Sequence, residues 1–125
     1  MKVLLCMIFL HLIDDYKLQG ILASFKQKEW WKQNAPDEKY KYDYIVALFE
    51  HAFMNSFMIH IPIYLWVCKN ELALTITVII STFLHAIVDD GKANKKIYNL
   101  FQDQFTHILW IINLFLIFYA ITGRI

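Results

Sequence analysis

The stretch that decides the fold is residues 72–107, LALTITVIISTFLHAIVDDGKANKKIYNLFQDQFTH. It contains two apolar segments separated by a short loop with three lysines, a pattern typical of two antiparallel helices. The first segment ends with the pair His85 and Asp89, and the second begins with the pair Asp103 and His107. Because a spacing of four residues puts both side chains of a pair on one helix face, the stretch predicts that the two pairs meet near the loop.

Two further apolar segments precede this stretch in the 125-residue chain, which is 58% hydrophobic and 17% aromatic. Soluble domains are roughly 45–50% apolar. The first segment, 3–13, is shorter than the roughly 20 residues that span a bilayer, but apolar residues recur at helical spacing as far as Phe25. We therefore predict a single all-α domain, residues 1–125, that forms an integral-membrane, up-down four-helix bundle. The predicted spans are about 3–25, 44–68, 72–88 and 100–123.

The segment between the first two spans, residues 26–43, reads KQKEWWKQNAPDEKYKYD. Its aromatic residues stand beside lysines, as is typical of the membrane–water interface, so we predict an interfacial loop. Residues 1–13 also resemble a secretory signal, with Lys2 before an apolar run. They continue into HLIDD and not into a small-residue cleavage site, so we interpret them as part of a span; a cleaved signal peptide is the alternative.

The distribution of basic residues predicts the orientation in the membrane. The first and third loops are rich in lysine, whereas the opposite side carries few basic residues. By the positive-inside rule, both lysine-rich loops are cytoplasmic and both termini lie outside the cell, in a multi-pass protein of the cell membrane. The first loop carries Lys17, Lys26, Lys28, Lys32, Lys39 and Lys41, the third carries Lys92, Lys95 and Lys96, and the opposite side carries Lys2, Lys69 and Arg124.

Seven ionisable residues are predicted to lie in one layer near the cytoplasmic face. The pairs have the order His-x-x-x-Asp in the helices that run towards the cytoplasm and Asp-x-x-x-His in the last helix, which runs away from it. This reversal places the histidines at one depth and the aspartates at another in all of these helices. Ionisable groups at membrane depth are costly, so they normally face a bundle interior and mark function. The seven are His11, Asp15, His51, His85, Asp89, Asp103 and His107.

Neutral imidazole and carboxylate groups are good ligands for Zn, Mn and Fe, so the layer predicts a site for divalent transition metals. Seven such groups exceed the three or four ligands of one zinc and suit two ions with a bridging carboxylate and a shared water. Asp15, Asp89 and Asp103 are therefore the predicted catalytic aspartates. The predicted activity is hydrolysis of a small anionic phosphoester, either a lipid headgroup or a nucleotide, by metal-bound hydroxide. Oxygen-dependent di-iron chemistry is an alternative, although helical sites of that kind use Glu-x-x-His.

Other polar residues receive secondary roles. Asp14 and Asp90 each adjoin a predicted ligand but point about 100° away from it in an α-helix, so we expect loop or interfacial positions. The alternative is that either one orients a ligand or acts as a general base. The same holds for Glu50 beside His51, and His60 is expected to be structural or to face a pore. The remaining assignments are hydrogen bonds from Gln19 and Gln104 to ligands or substrate, and attraction of an anionic substrate by Lys92, Lys95 and Lys96.

The first motif, H11-L-I-D-D15-Y-K-L-Q19, resembles the signature His-x-x-x-Asp-x-x-Leu-Gln of a family of small bacterial and phage membrane proteins known only as a domain of unknown function. H85-A-I-V-D89 and D103-Q-F-T-H107 resemble its later motifs, and His51 stands where the family tends to carry a histidine in its second span. The resemblance covers nearly the whole chain and implies a membrane fold but no activity. A looser likeness is to membrane-bound metal-dependent hydrolases, which also carry His and Asp at the ends of spans.

Two other classes of function fit the same residues. In an ion or proton transporter or channel, the polar layer would be a transient ion site, and Asn55 and His60 would line a path to the outer face. In a non-catalytic, phage-type membrane interaction protein, the histidines would tolerate substitution. The net charge of +1 gives no reason to expect binding to a nucleic-acid duplex. Homo-oligomerisation is compatible with the sequence, but no small-residue stripe specifies an interface.

Overall fold

A computed structural model describes residues 1–123 of the chain. The end of the predicted domain, including Arg124 of the topology argument, lies outside the described residues. Within 1–123 every regular element is helical and no strand forms, which confirms the all-α prediction. The elements are α1 (Lys2–Ile13) with a following π-helical turn (Asp14–Leu18), α2 (Leu22–Phe25), α3 (Lys28–Asn34), a 3₁₀ turn (Glu38–Tyr40), α4 (Asp43–Trp66), α5 (Glu71–Ala93) and α6 (Leu100–Thr122).

Three of the helices are long and apolar enough to cross a membrane. These segments are Glu38–Trp66, Glu71–Ala93 and Leu100–Thr122. At about 1.5 Å per residue, the 23 residues of α5 or α6 reach about 35 Å, compared with a hydrocarbon core of about 30 Å. The three segments correspond to the predicted second, third and fourth spans.

The first predicted span is interrupted, and this differs from the continuous helix expected over 3–25. The α-helical part ends at Ile13 and gives way to a π-helical turn, in which hydrogen bonds reach five residues back. Gly20 then adopts a left-handed backbone conformation with φ of +50°, which turns the chain before the short helix α2. Apolar spacing alone could not reveal this break, because Leu22 and Phe25 continue the pattern beyond the turn.

Asparagine residues fix the start of the last two long helices. The side chain of Asn70 accepts a hydrogen bond from the backbone N–H of Ala73 at the beginning of α5. Asn99 and Gln102 form a reciprocal capping box at the beginning of α6. Such caps satisfy backbone N–H groups that have no partner within the helix.

Four helical segments, α1 with its π-helical turn, α4, α5 and α6, pack in a ring. In this ring α1 and α5 each contact both α4 and α6. At the end formed by residues 1–8, 59–74 and 111–119, the interior is filled with apolar side chains, including the fully buried Met7, Ile63, Leu114 and Phe118. The other end, which we call the lysine-rich end, carries the connections 19–42 and 94–99. The interior of the ring is therefore apolar at one end and polar towards the other.

Large apolar side chains also cover the outside of the long helices. Phe53, Phe57, Ile79, Phe83 and Phe105 are all about half exposed. A soluble domain of this size rarely exposes a contiguous apolar surface that extends along several helices. A lipid environment would satisfy this surface.

The predicted interfacial loop forms a compact aromatic unit. The ring of Trp31 lies 5.1 Å from the rings of Phe25 and Trp30, and 6.2 Å from that of Tyr40, measured between centroids. The indole N–H of Trp31 donates a hydrogen bond to the backbone oxygen of Phe25 at 2.6 Å. This unit packs against the beginning of α4.

Candidate metal centre

The structure brings all seven predicted site residues into the interior, towards the lysine-rich end. Their exposed fractions run from 0% to 6%. α1 and its π-helical turn supply His11 and Asp15, α4 supplies His51, α5 supplies His85 and Asp89, and α6 supplies Asp103 and His107.

Two groups within this layer have the geometry to hold a metal ion. Asp15, His51 and His85 form the first group, and His85, Asp89 and His107 form the second. In each group one ligand atom per residue lies within 4.8 Å of the others, and every member is buried.

In the first group, Nε2 of His51 is the central atom. It lies 3.0 Å from Oδ1 of Asp15 and 3.2 Å from Nε2 of His85. It also lies 3.5 Å from Oδ2 of Asp89, which connects this group to the second.

In the second group, Oδ1 of Asp89 lies 3.2 Å from Nε2 of His107 and 3.5 Å from Nε2 of His85. The rings of His85 and His107 stack with centroids 4.1 Å apart. The two oxygens of Asp89 therefore face different imidazoles, with Oδ2 near His51 and Oδ1 near His107.

These separations match the edges of a coordination polyhedron. Zinc and similar ions bind imidazole nitrogen and carboxylate oxygen at about 2.0–2.2 Å, so tetrahedral neighbours lie about 3.3–3.6 Å apart. The nitrogen–nitrogen and nitrogen–oxygen distances of 3.0–3.5 Å around His51 and Asp89 fall close to that range. The remaining separations within each group are at most 4.8 Å, so the side chains would have to move closer together to hold an ion.

His85 belongs to both groups, but its Nε2 has one lone pair and can bind one ion at a time. Two ions would therefore need a different shared ligand. Asp89 satisfies this requirement, because a carboxylate has two oxygens and those of Asp89 face the two groups.

Asp103 and His11 lie at the edge of the layer, outside the two groups. Oδ1 of Asp103 is 3.5 Å from Nε2 of His107, while its Oδ2 accepts a hydrogen bond from Lys92 at 2.6 Å. His11 is held through Nδ1, which lies 3.1 Å from Oδ1 of Asn55. Its Nε2 is buried and has no hydrogen-bond partner among residues 1–123, and its ring lies 5.3 Å from that of His107.

The expectation that Asp14 occupies a loop or interfacial position is wrong. Asp14 is 1% exposed, accepts a hydrogen bond from Nδ2 of Asn55 at 3.0 Å, and lies 3.7 Å from Nδ1 of His51. The turn that carries Asp14 and Asp15 packs against α4, and both side chains face the interior. A divergence of about 100° does not exclude this, since the successive residues Asn55 and Ser56 of α4 are also both buried. The sequence signal for a second buried carboxylate is the doubled aspartate, Asp14-Asp15, to which the α-helical interpretation gives too little weight.

Two lysines form ion pairs with carboxylates of the site, and helical spacing did not predict these contacts. Nζ of Lys26 donates to Oδ2 of Asp89 at 2.6 Å, and Nζ of Lys92 donates to Oδ2 of Asp103 at 2.6 Å. Lys26 is 63 residues away from its partner in sequence, so helical periodicity could not have paired them. The side chain of Lys26 is 12% exposed and that of Lys92 is 36% exposed.

The predicted hydrogen bonds from glutamine to the ligands are present. Nε2 of Gln104 donates to Oδ2 of Asp15 at 2.6 Å and lies 3.3 Å from Oδ2 of Asp103. The side-chain amide of Gln19 donates to the backbone oxygen of Asp15. Such partners orient ligating side chains and fix which atom faces a metal.

The remaining secondary residues lie away from the centre. Glu50 is exposed. His60 contacts the backbone oxygen of Ser56 and the hydroxyl of Thr77, which fits a structural role. Asp90 pairs with Lys95 at 2.9 Å, and this hydrogen bond raises the pKa of the Lys95 ammonium above its usual range.

Comparison with known proteins found no matching family model, no similar curated protein and no similar solved structure. The functional argument therefore depends on the geometry of the site.

Proposed function

We propose that the protein is an integral-membrane four-helix bundle with a two-metal centre near its cytoplasmic face, where it hydrolyses a phosphoester. One observation carries the proposal: Nε2 of His51 has three ligand atoms of other residues within 3.5 Å, from Asp15, His85 and Asp89. An imidazole nitrogen carries one proton or one lone pair and makes one good hydrogen bond. A shared cation accounts for this convergence better than a hydrogen-bond network does.

The membrane part of the proposal is supported by the three long apolar helices and their exposed apolar surface. α1 with its π-helical turn completes the ring as a shorter fourth segment. Lysines concentrate at the end that holds the polar layer, so the positive-inside rule places that end in the cytoplasm and both termini outside. As part of this proposal, the protein is related to the small bacterial and phage membrane proteins described above. The order of its His and Asp motifs supports this relationship.

We assign the ligands to two centres. Asp15, His51 and His85 would hold the first ion, and His107 with Asp103 would hold the second. Asp89 would be shared, because its two oxygens face different imidazoles. The ligands are nitrogen and oxygen atoms, which suits Zn, Mn or Fe.

His11 completes the second centre in this assignment. Its Nδ1 faces Oδ1 of Asn55, and the same amide donates to Asp14. This chain of hydrogen bonds fixes the ring and leaves the buried Nε2 free as a ligand atom.

The charge of the layer also favours cations. Four buried carboxylates, those of Asp14, Asp15, Asp89 and Asp103, meet two ammonium groups, so ionised aspartates leave two negative charges in excess. Buried charges need close partners, because their desolvation is costly. Two divalent ions would turn the excess into two positive charges, which hydroxide and a phosphate group would then balance.

A metal pair of this kind supplies hydroxide near neutral pH and neutralises charge on a phosphoryl group. In the hydrolysis, the oxygen of a water molecule would bond to phosphorus as the ester P–O bond breaks, and the proton released by that water would pass to the leaving oxygen. Phosphoester and water thus give a phosphate and an alcohol. In this scheme Gln104 and Lys26 orient Asp15 and Asp89, and Lys92 orients Asp103.

The transporter alternative is supported by polar side chains that continue from His51 along α4. Asn55, Ser56 and His60 are buried, and His60 contacts Thr77. Beyond His60 the interior belongs to the apolar cluster that contains Ile63, Leu114 and Phe118, all fully buried. A conducting path would have to cross this cluster, so the geometry favours a closed site over a channel.

Metal analysis and a substrate screen test the proposal together. Protein purified in detergent should carry one to two equivalents of transition metal and cleave chromogenic phosphodiesters. The double variant His85→Ala/Asp89→Ala should lose both, whereas His60→Ala, a buried histidine outside the layer, should keep both. Metal-free wild-type protein with activity unchanged in the double variant would refute the proposal, as would histidines that all tolerate substitution.

A further inference from the structure

A cavity of about 250 Å³ reaches the candidate metal centre from the side, between α5 and α6. We call it the lateral cavity. His11, His85 and His107 form its polar floor. Apolar side chains form most of its accessible surface, including those of Leu84, Val88, Trp110 and Ile111. Polar residues also line it, namely Asn55, Ser56, Ser81, Thr106 and Asn113.

Two contacts frame the lateral cavity along the helices. Near the lysine-rich end, the ring of Tyr98 lies so close to Gly91 that a Cβ there would be 2.6 Å from it. Towards the apolar end, the indole N–H of Trp110 donates to the hydroxyl of Ser81 at 2.9 Å. Between these contacts Leu84 is 38% exposed, so the cavity opens on the flank of two helices that are apolar enough to span a membrane.

The floor of the lateral cavity holds two buried polar atoms without a hydrogen-bond partner among the described residues. They are Nε2 of His11 and Oγ of Ser56, on side chains 0% and 1% exposed. Unsatisfied buried polar atoms are costly and rare. The second ion would take Nε2 of His11, so a polar atom of the substrate is expected beside Oγ of Ser56.

A second cavity, of about 320 Å³, reaches the same centre from the lysine-rich end. We call it the basic cavity. It is lined by Lys26, Lys92 and Lys96 together with Gln19 and Asp89. Asp89 lies one helical turn closer to the lysine-rich end than His85, so the two cavities meet the layer of metal ligands from different sides.

We infer that the substrate is a membrane phospholipid that enters between α5 and α6; this inference rests on the proposed hydrolase function. The acyl chains lie in the lateral cavity and in the lipid beside it. The phosphoester lies at the metal ligands, and its non-bridging oxygens and the rest of the headgroup face the lysines of the basic cavity. An amphiphile with its phosphate between apolar and polar parts matches this order of surfaces, whereas a nucleotide has no apolar part for the lateral cavity.

The test compares long-chain phosphatidylglycerol and phosphatidic acid in nanodiscs with their water-soluble short-chain forms. Val88→Phe fills the opening of the lateral cavity. Ile87→Phe is the matched control, because Ile87 is the neighbouring residue, is 61% exposed and lines neither cavity. We expect Val88→Phe to lower turnover of the long-chain lipids about tenfold or more and that of the short-chain forms less than about twofold.

Metal content separates this inference from the proposed function. Metal-loaded wild-type protein that cleaves chromogenic phosphodiesters but neither form of the lipids overturns the phospholipid substrate, whereas metal-loaded protein that cleaves none of these phosphoesters refutes the hydrolase. Cleavage with the same effect of Val88→Phe on both forms, or with no effect on either, overturns lateral entry. Preference for a nucleotide over every lipid tested would also overturn it.

A binding readout is independent of turnover. Lipids with brominated acyl chains quench tryptophan fluorescence on contact, and Trp110 lines the lateral cavity. The contribution of Trp110 to this quenching is the amount that is lost when Trp110→Phe is introduced. We expect this contribution to be smaller in protein that carries Val88→Phe than in protein that carries Ile87→Phe. Equal quenching in both backgrounds would show that the chain does not occupy the cavity.

Discussion

Replacing Lys26 with methionine should destabilise the metal-free protein and strengthen metal binding. Nζ of Lys26 contacts Oδ2 of Asp89 at 2.6 Å, and the side chains are 12% and 3% exposed. Removing one partner of a buried ion pair costs about 3–5 kcal/mol. Because Lys26 keeps some contact with solvent, we expect the lower end of this range, about 3 kcal/mol, in the metal-free state.

Bound metal should reduce this cost, since an ion near Asp89 supplies positive charge beside the carboxylate that has lost its ammonium partner. A thermodynamic cycle then requires the variant to bind metal more tightly by the difference between the two costs. If the full 3 kcal/mol is recovered, the affinity rises about a hundredfold, at about 1.4 kcal/mol per factor of ten.

Two measurements check this expectation. Chemical unfolding in detergent, with and without a chelator, gives the free energy of unfolding of both states, and competition with a chromogenic chelator gives the zinc affinity. Lys95→Met is the control: its partner Asp90 is outside the metal groups and Lys95 is 57% exposed, so we expect a loss below about 1 kcal/mol and unchanged metal affinity. Weaker zinc binding by Lys26→Met, or equal destabilisation with and without metal, would refute the reasoning.

Three further predictions concern single positions. His85→Ala should lower bound metal by at least one equivalent, while His60→Ala should not, as measured by elemental analysis of the purified variants. Asp15→Asn should reduce metal binding more than Asp14→Asn, since Asp15 belongs to a metal group and Asp14 contacts Asn55; equal losses would contradict the assignment. Gly20→Ala should lower the free energy of unfolding by about 1–2 kcal/mol because of the left-handed backbone at φ +50°, and unchanged stability would show that the turn relaxes without cost.

The sequence predicts the long helices well, because their signal is local. Runs of apolar residues predict both ends of α6 and the start of α5 to within about one residue, whereas α5 continues to Ala93, five residues beyond its predicted end at Val88. The convergence of the seven polar residues was also predictable, since a spacing of four fixes a helix face and alternating helix direction fixes depth. The structure adds that these residues form two groups joined by Asp89, with Asp103 and His11 at the edge.

The parts of the site that could not be predicted depend on contacts between distant residues or on irregular backbone. Lys26 reaches Asp89 from the loop after α2, and no periodicity connects residues so far apart. The burial of Asn55 beside His11 and Asp14 likewise depends on how α1 and α4 pack. Single-helix patterns contain no information about such pairings.

The π-helical turn is where the first helix supplies two neighbouring carboxylates to the centre. In an α-helix successive side chains diverge by about 100°, so Asp14 and Asp15 would approach α4 at different angles. In the π-helical turn Asp15 contacts His51 while Asp14 contacts Asn55, which in turn holds His11. π-Helical geometry is rare and concentrates at functional sites. A helix that only anchored the chain in a membrane would gain nothing from it, and this favours a ligand-binding role for the polar layer.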